Sequence, residues 1–167
     1  MGNMSRPFIL AAALGVAVVT FGTSTLVGAE RGDGAAADTA AYALYRDGQG
    51  LARERRYPEA IEAFTRAWAL APQHPVTLVH RAHALYLLNR YDEAIADYSA
   101  FIAARQGEAN AYWSRAQAFS GAGNFRAAIA DADAALSLDP GLSGALYYRA
   151  YARYRLGDQA GALADAR

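Results

Sequence analysis

Most of this chain repeats itself every 34 residues, and nothing else in it limits the fold so strongly. Ala60, Ala94, Ala128 and Ala162 lie 34 apart, each followed by an aliphatic residue, Ile61, Ile95, Ile129 or Leu163. Twelve residues before each alanine stands another small residue, Gly48, Ala82, Ala116 or Ala150. A period of this size marks a stacked array in which each repeat is one supersecondary unit that buries its apolar face only against its neighbours. Side chains this small let two antiparallel helices approach closely where they cross. Leu44, Leu78, Tyr112 and Leu146, with Tyr57, Tyr91 and Phe125, complete an apolar stripe at helical spacing. Alanine makes up 42 of the 167 residues, a composition that favours packed helices and disfavours strands.

The residues at these columns resemble the tetratricopeptide repeat family, whose pattern carries A-x-x-x-F in the second helix and a closing Pro. Ala60 with Phe64 and Pro72, Ala94 with Tyr98, and Ala128 through Leu138 to Pro140 carry the likeness, which extends from Ala41 to Arg167. It implies an all-α, right-handed α-solenoid of about four helix-turn-helix repeats, at 41–74, 75–108, 109–142 and an incomplete 143–167. By the family's pattern the helices run over 41–54 and 58–71, 75–88 and 92–105, 109–122 and 126–138, then 143–156 and 159 onward.

Three departures from the pattern carry expectations. In the second repeat Gln106 replaces the closing Pro, and Phe101 replaces the small residue found at Ala67 and Ala135, so that junction is expected to pack differently. In the fourth, Arg153 stands where Leu51, Leu85 and Phe119 stand, and Gln159 stands where an aromatic is expected, which makes it the weakest repeat. The fourth repeat is also nine residues short, which suggests an uncapped end open to self-association by stacking.

One charged column runs through the array. Arg81, Arg115 and Arg149 each have an aspartate sixteen residues later, at Asp97, Asp131 and Asp165, whereas the first repeat has Asp47 and Ala63 instead. Pair and absence occurring together predict a structural ion pair between the two helices of one hairpin.

Signatures of chemistry are missing. With no cysteine, disulfides, thiolate metal sites and a Cys nucleophile are excluded. The formal net charge of zero removes the electrostatic footprint of a nucleic-acid binder. His80 and His83 are spaced for a common metal but have no third ligand nearby in sequence. Gly121-Ala122-Gly123-Asn124 lacks the strand, third glycine and Lys of a phosphate loop. No enzyme activity, cofactor or metal is expected.

The family resemblance implies that the first helix of each hairpin lines a concave groove. The groove-facing phases give Tyr42, Tyr45, Gln49 and Arg53, then His80, His83 and Tyr86, then Asn110, Trp113 and Gln117, then Tyr147, Tyr151 and Tyr154. Seven of these thirteen are Tyr or Trp, residues that suit hot spots for a protein or peptide partner, although Tyr and Trp also pack between helices. One groove in the family clamps the carboxylate of an acidic tail with Lys and Asn. This chain has no Lys, and Tyr45, Val79, Trp113 and Tyr147 occupy the equivalent lining, so a hydrophobic peptide or amphipathic helix fits better.

The first 29 residues read differently from the rest. Arg6, an apolar run from Phe8 to Phe21 and a small-residue end at Val27-Gly28-Ala29 resemble a secretory signal peptide cut after Ala29. The other reading is an uncleaved membrane anchor over residues 7–29. Glu30 to Ala40 then read as a flexible linker. An Arg-only, Ala-rich composition looks like that of a GC-rich bacterial genome, which makes the expected site the periplasm or cell envelope. There the chain is expected to act as an interaction scaffold, or alternatively as an anchored module that self-associates.

Overall fold

The computed structural model describes residues 26–167, with side chains from Gly34 onward. The segment read as a signal or anchor lies outside the described residues up to residue 25. Eight helices follow one another: α1 (Leu26–Arg53), α2 (Tyr57–Leu70), α3 (Val76–Leu87), α4 (Tyr91–Ala104), α5 (Ala109–Gly121), α6 (Phe125–Leu138), α7 (Ser143–Arg155) and α8 (Gln159–Asp165). Among the described residues there is no strand, and no helix is long and apolar enough to cross a membrane. Each helix packs on the next, and α1, α3, α5 and α7 also touch in sequence, which makes the array a helical solenoid.

From α2 onward the helices follow the 34-residue columns to within a residue or two of the expected ends. The first helix differs. The stretch expected to be a flexible linker is helical, because α1 runs from Leu26 straight through Gly32-Asp33-Gly34. Ala35, Ala36, Ala37, Ala40, Ala41 and Ala43 outweigh the roughly 1 kcal/mol that an interior glycine costs a helix. Tertiary contact adds to this, since Asp38 accepts a hydrogen bond from Gln73 Nε2 and lies 3.7 Å from His74 Nε2, both in the turn after α2.

Each hairpin turns by one backbone device. The N–H groups of Arg56, Arg90, Asn124 and Asp158 donate to the carbonyls of Leu51, Leu85, Phe119 and Arg153 at 2.8–3.0 Å. The preceding residues Arg55, Asn89, Gly123 and Gly157 all have positive φ, at 62°, 60°, 79° and 89°. This is the Schellman ending, whose penultimate residue must be left-handed and therefore favours glycine or asparagine. Two of the four positions are glycine; Arg55 pays the steric cost.

Packing follows the small-residue columns. Ala60, Ala94 and Ala128 are fully buried, as are Ala82 and Ala116, while Ala150 and Ala162 of the fourth repeat are half-buried. Gly48 is needed in the first repeat because a Cβ there would lie 2.7 Å from the Phe64 ring. The second junction does pack differently: Phe101 is buried with Leu78, Ile102 and Ala111, and the turn missing its proline passes through Gly107 at φ 88°. The fourth repeat is the least buried, since α8 has no buried residue. The positively charged Arg153 there turns to Asp165, donating from Nη1 at 2.7 Å.

The arginine column does more than close hairpins. Arg81 grips Asp97 with Nε and Nη2 at 2.7 Å each, and Arg115 grips Asp131 at 2.7 and 2.8 Å. Arg149 holds Asp165 in the same fork at 3.0 and 2.6 Å. The remaining Nη1 of each reaches back to the preceding hairpin: Arg81 to Thr65 Oγ1 at 3.2 Å, Arg115 to Ser99 Oγ at 3.0 Å and Arg149 to Asp133 Oδ1 at 2.6 Å. Thr65, Ser99 and Asp133 are themselves 34 apart, so every guanidinium ties three helices and fixes the register between repeats.

Candidate functional site

The inner face of the solenoid is formed by α1, α3, α5 and α7, and the thirteen residues expected to line it divide by what they touch. Six are exposed: Tyr42, Arg53, His83, Asn110, Tyr147 and Tyr154. The other seven are half-buried, and all but Gln49, which bonds Tyr45 of its own helix, are engaged with neighbouring helices. Tyr45 packs on Phe64 and His80 at ring separations of 6.0 and 5.2 Å, and its hydroxyl accepts from Gln49 Nε2 at 2.8 Å. His80 also stacks on Phe64. Burial and the nearby His83 push the His80 pKa below the usual imidazole value, and the protein flanking the otherwise exposed His83 ring desolvates it enough to lower its pKa as well.

Trp113 lies against Gly144 so closely that a Cβ at that position would sit 2.5 Å from its indole. Its Nε1 is buried without a hydrogen-bond partner. Trp113 therefore holds α5 against α7 more than it offers a surface. Gln117 donates to the Tyr148 hydroxyl at 2.7 Å, and Tyr86 packs on Tyr91. Burial, with the neighbouring Tyr148 hydroxyl, pushes the Tyr86 phenol up to about 12, so it stays protonated at any physiological pH. Tyr151 meets Phe125 edge to face and accepts a hydrogen bond from Arg155, whose guanidinium lies 4.5 Å from the Phe125 ring centroid.

Tyr148 is missing from the expected set although it adjoins several of its members. It closes a recess of about 200 Å³ with Tyr86, Gln117, Ser120, Tyr147 and Tyr151. The signal for it was available, since Tyr148 lies in the same column as His80, two periods on. A second recess, of about 250 Å³, lies among Gln49, Ala52, Arg53, His80 and His83.

Carboxylates on this face are confined to its first helix, where Asp38 lies at the rim beside Tyr42. Helices α3, α5 and α7 contain no Asp or Glu, while their Arg81, Arg115 and Arg149 are consumed by the inter-helix pairs. Arg53 and the two histidines are left beside aromatic and amide groups. Among the described residues, no group of three or more His, Cys, Asp or Glu could hold a metal ion.

Family models described as tetratricopeptide repeat match residues 51–118 and 109–142, together more than half of the chain. The chain belongs to the tetratricopeptide repeat family. No curated protein matches it in sequence. Solved structures share the fold of this tetratricopeptide array. MamA of Desulfovibrio magneticus RS-1, from residue 41 to its end, is 24% identical with a TM-score of 0.73, over 75% of this chain and 71% of that one. The first tetratricopeptide domain of Spaghetti (RPAP3), bound to the HSP90 peptide SRMEEVD, is 24% identical with a TM-score of 0.69, over 72% and 95%. The second such domain of human RPAP3, in complex with the HSP70 peptide SGPTIEEVD, is 24% identical with a TM-score of 0.65, over 72% and 98%.

Proposed function

We propose that the chain is a non-catalytic protein-protein interaction scaffold of the bacterial cell envelope, holding a peptide or partner helix in its inner groove. The observation that carries this reading is the free part of the groove. Tyr42, Tyr147 and Tyr154 are 59%, 64% and 63% exposed, on a face whose three later helices contain no carboxylate. Exposed tyrosines offer a large apolar area at little entropic cost and keep a hydrogen-bonding edge, which suits a binding surface. Peptide complexes of the similar RPAP3 domains support the mode of binding.

Their acidic sequences do not carry over. This chain has no Lys, and the groove positions at Tyr45 and Trp113 are taken up by inter-helix packing. A partner segment with an apolar face and few basic residues is the better match. The envelope location rests on the signal-like composition of the first 29 residues.

The test is cross-linked co-purification from the native envelope, with wild type against a Tyr147→Ala, Tyr154→Ala variant. Both residues are exposed, so the variant keeps its fold. A partner recovered with wild type and lost with the variant supports the groove; equal recovery refutes it. Exposed Leu156 and Leu163, at 48% and 56%, favour a second reading in which copies stack through the last hairpin. A sedimentation coefficient independent of concentration would eliminate it.

A further inference from the structure

We propose that a slot between the first two hairpins is an anchor pocket for one aromatic side chain of the partner. The proposal rests on the groove reading and names the chemistry that its first segment takes. The slot has a volume of about 200 Å³ and lies among Ala41 and Tyr45 of α1, Ala67 of α2, Ala71 at the end of α2, and Val76 and Thr77 of α3. Its floor is buried, with Ala41, Ala67, Ala71 and Thr77 all at 5% exposure or less, whereas Val76 at the mouth is 42% exposed.

The other two junctions show what belongs there. One repeat on, the position of Ala67 is Phe101, which is 4% exposed and packs with Ala111, the counterpart of Thr77. Two repeats on, the position is again alanine, Ala135, but Trp113 packs against the cluster of Ala135 and Ala145. Trp113 is the counterpart of Tyr45, and Ala145 of Thr77. Each later junction is thus filled by an aromatic ring of the chain itself, delivered once from the second helix and once from the first.

The first junction has neither. Ala67 is small, and the ring of Tyr45 is drawn to Phe64 and His80, with its hydroxyl held by Gln49. An apolar cavity of roughly 150 Å³ is enough for a benzene ring, so the slot accommodates a phenyl or indole group. Its lining supplies few partners for water. Asp38 and His74, the polar groups at the rim, lie 3.7 Å apart, and Asp38 already accepts a hydrogen bond from Gln73. An apolar ring is the occupant that such walls favour. A partner peptide running along the groove past Tyr42 places its aromatic side chain at the mouth.

The test uses indole as the probe, titrated into the full chain and followed by ligand-observed saturation-transfer NMR. Ala67→Phe fills the slot as Phe101 fills its own, and Val76→Trp closes the mouth from an exposed position. Ala100→Ser, at an exposed position on α4 outside the groove helices, is the control. Saturable indole binding is expected for wild type and control, weakened at least tenfold in both filled variants, with Ala67→Phe melting no lower than wild type. If Ala67→Phe does not fold, Val76→Trp decides. Absence of saturable binding to wild type, or equal binding to the filled variants, would overturn the proposal. Indole needs no partner, so that failure is separate from failure of the groove, which the Tyr147→Ala, Tyr154→Ala variant reads.

Discussion

Replacing Arg55 by glycine should stabilise the protein, although the substitution removes a side chain and adds no contact. Arg55 occupies the left-handed position of the turn between α1 and α2 at φ 62°, where the same position two and three repeats later is Gly123 and Gly157. A left-handed conformation costs an ordinary residue roughly 1–2 kcal/mol through Cβ contact with the following carbonyl. Glycine returns about 0.5–1 kcal/mol of that through its greater freedom in the unfolded chain. Arg55 is exposed and its guanidinium makes no hydrogen bond among the described residues, so nothing else is lost. The net expectation for Arg55→Gly is a gain of about 0.5–1 kcal/mol, or a rise in Tm of about 1–4 °C for a domain of this size. Thermal melts followed by far-ultraviolet circular dichroism read it directly. Gly123→Ala, the reverse change in the same column, should lose about 1 kcal/mol, and Asn89→Gly should gain less than Arg55→Gly because asparagine tolerates this region. A lower Tm for Arg55→Gly, or no loss for Gly123→Ala, would refute the assignment of strain to this column.

Three further outcomes follow from the packing. Arg115→Leu leaves the buried Asp131 without its fork and frees Ser99, and should cost about 2–4 kcal/mol by urea denaturation, whereas Arg90→Leu, which breaks an exposed pair with Glu93, should leave the midpoint unchanged. Gly144→Ala drives a methyl into the Trp113 indole and should cost about 1–3 kcal/mol, with a change in tryptophan fluorescence. His80 has a depressed pKa in the fold, so the unfolded chain binds its proton first as pH falls, and stability is full above about pH 6.5 and declines below it. A His80→Phe variant, which keeps the stack on Tyr45 and Phe64 without the charge, should show a smaller loss of Tm between about pH 7 and 5 than wild type.

The 34-residue columns made the helices legible because the residues that set them, Ala60, Ala94 and Ala128, are fully buried at the crossings of the first three hairpins. Column arithmetic also placed Arg81 opposite Asp97, which the structure holds at 2.7 Å. It did not reach the third bond of each guanidinium, because Thr65, Ser99 and Asp133 share a position but not a side-chain type. The start of α1 was misread because a glycine pair usually marks a break, and the alanines that carry the helix through it, with the contact from Gln73 to Asp38, act beyond that local signal. Groove phase named candidate residues on α1, α3, α5 and α7 but did not divide the aromatics into exposed and engaged. That division depends on neighbours far away in sequence, as when Gly144 admits the Trp113 ring and Tyr148 captures Gln117.

The central claim, that the inner face binds a partner segment, is tested most directly by a photo-cross-linking residue placed at Tyr154 in the groove and, in a separate variant, at the exposed Ala100 on α4. Illumination of native cells should give one discrete adduct from position 154, lost when Tyr147→Ala is added, and none from position 100. Adducts of equal yield from both positions, or none from position 154, would contradict it.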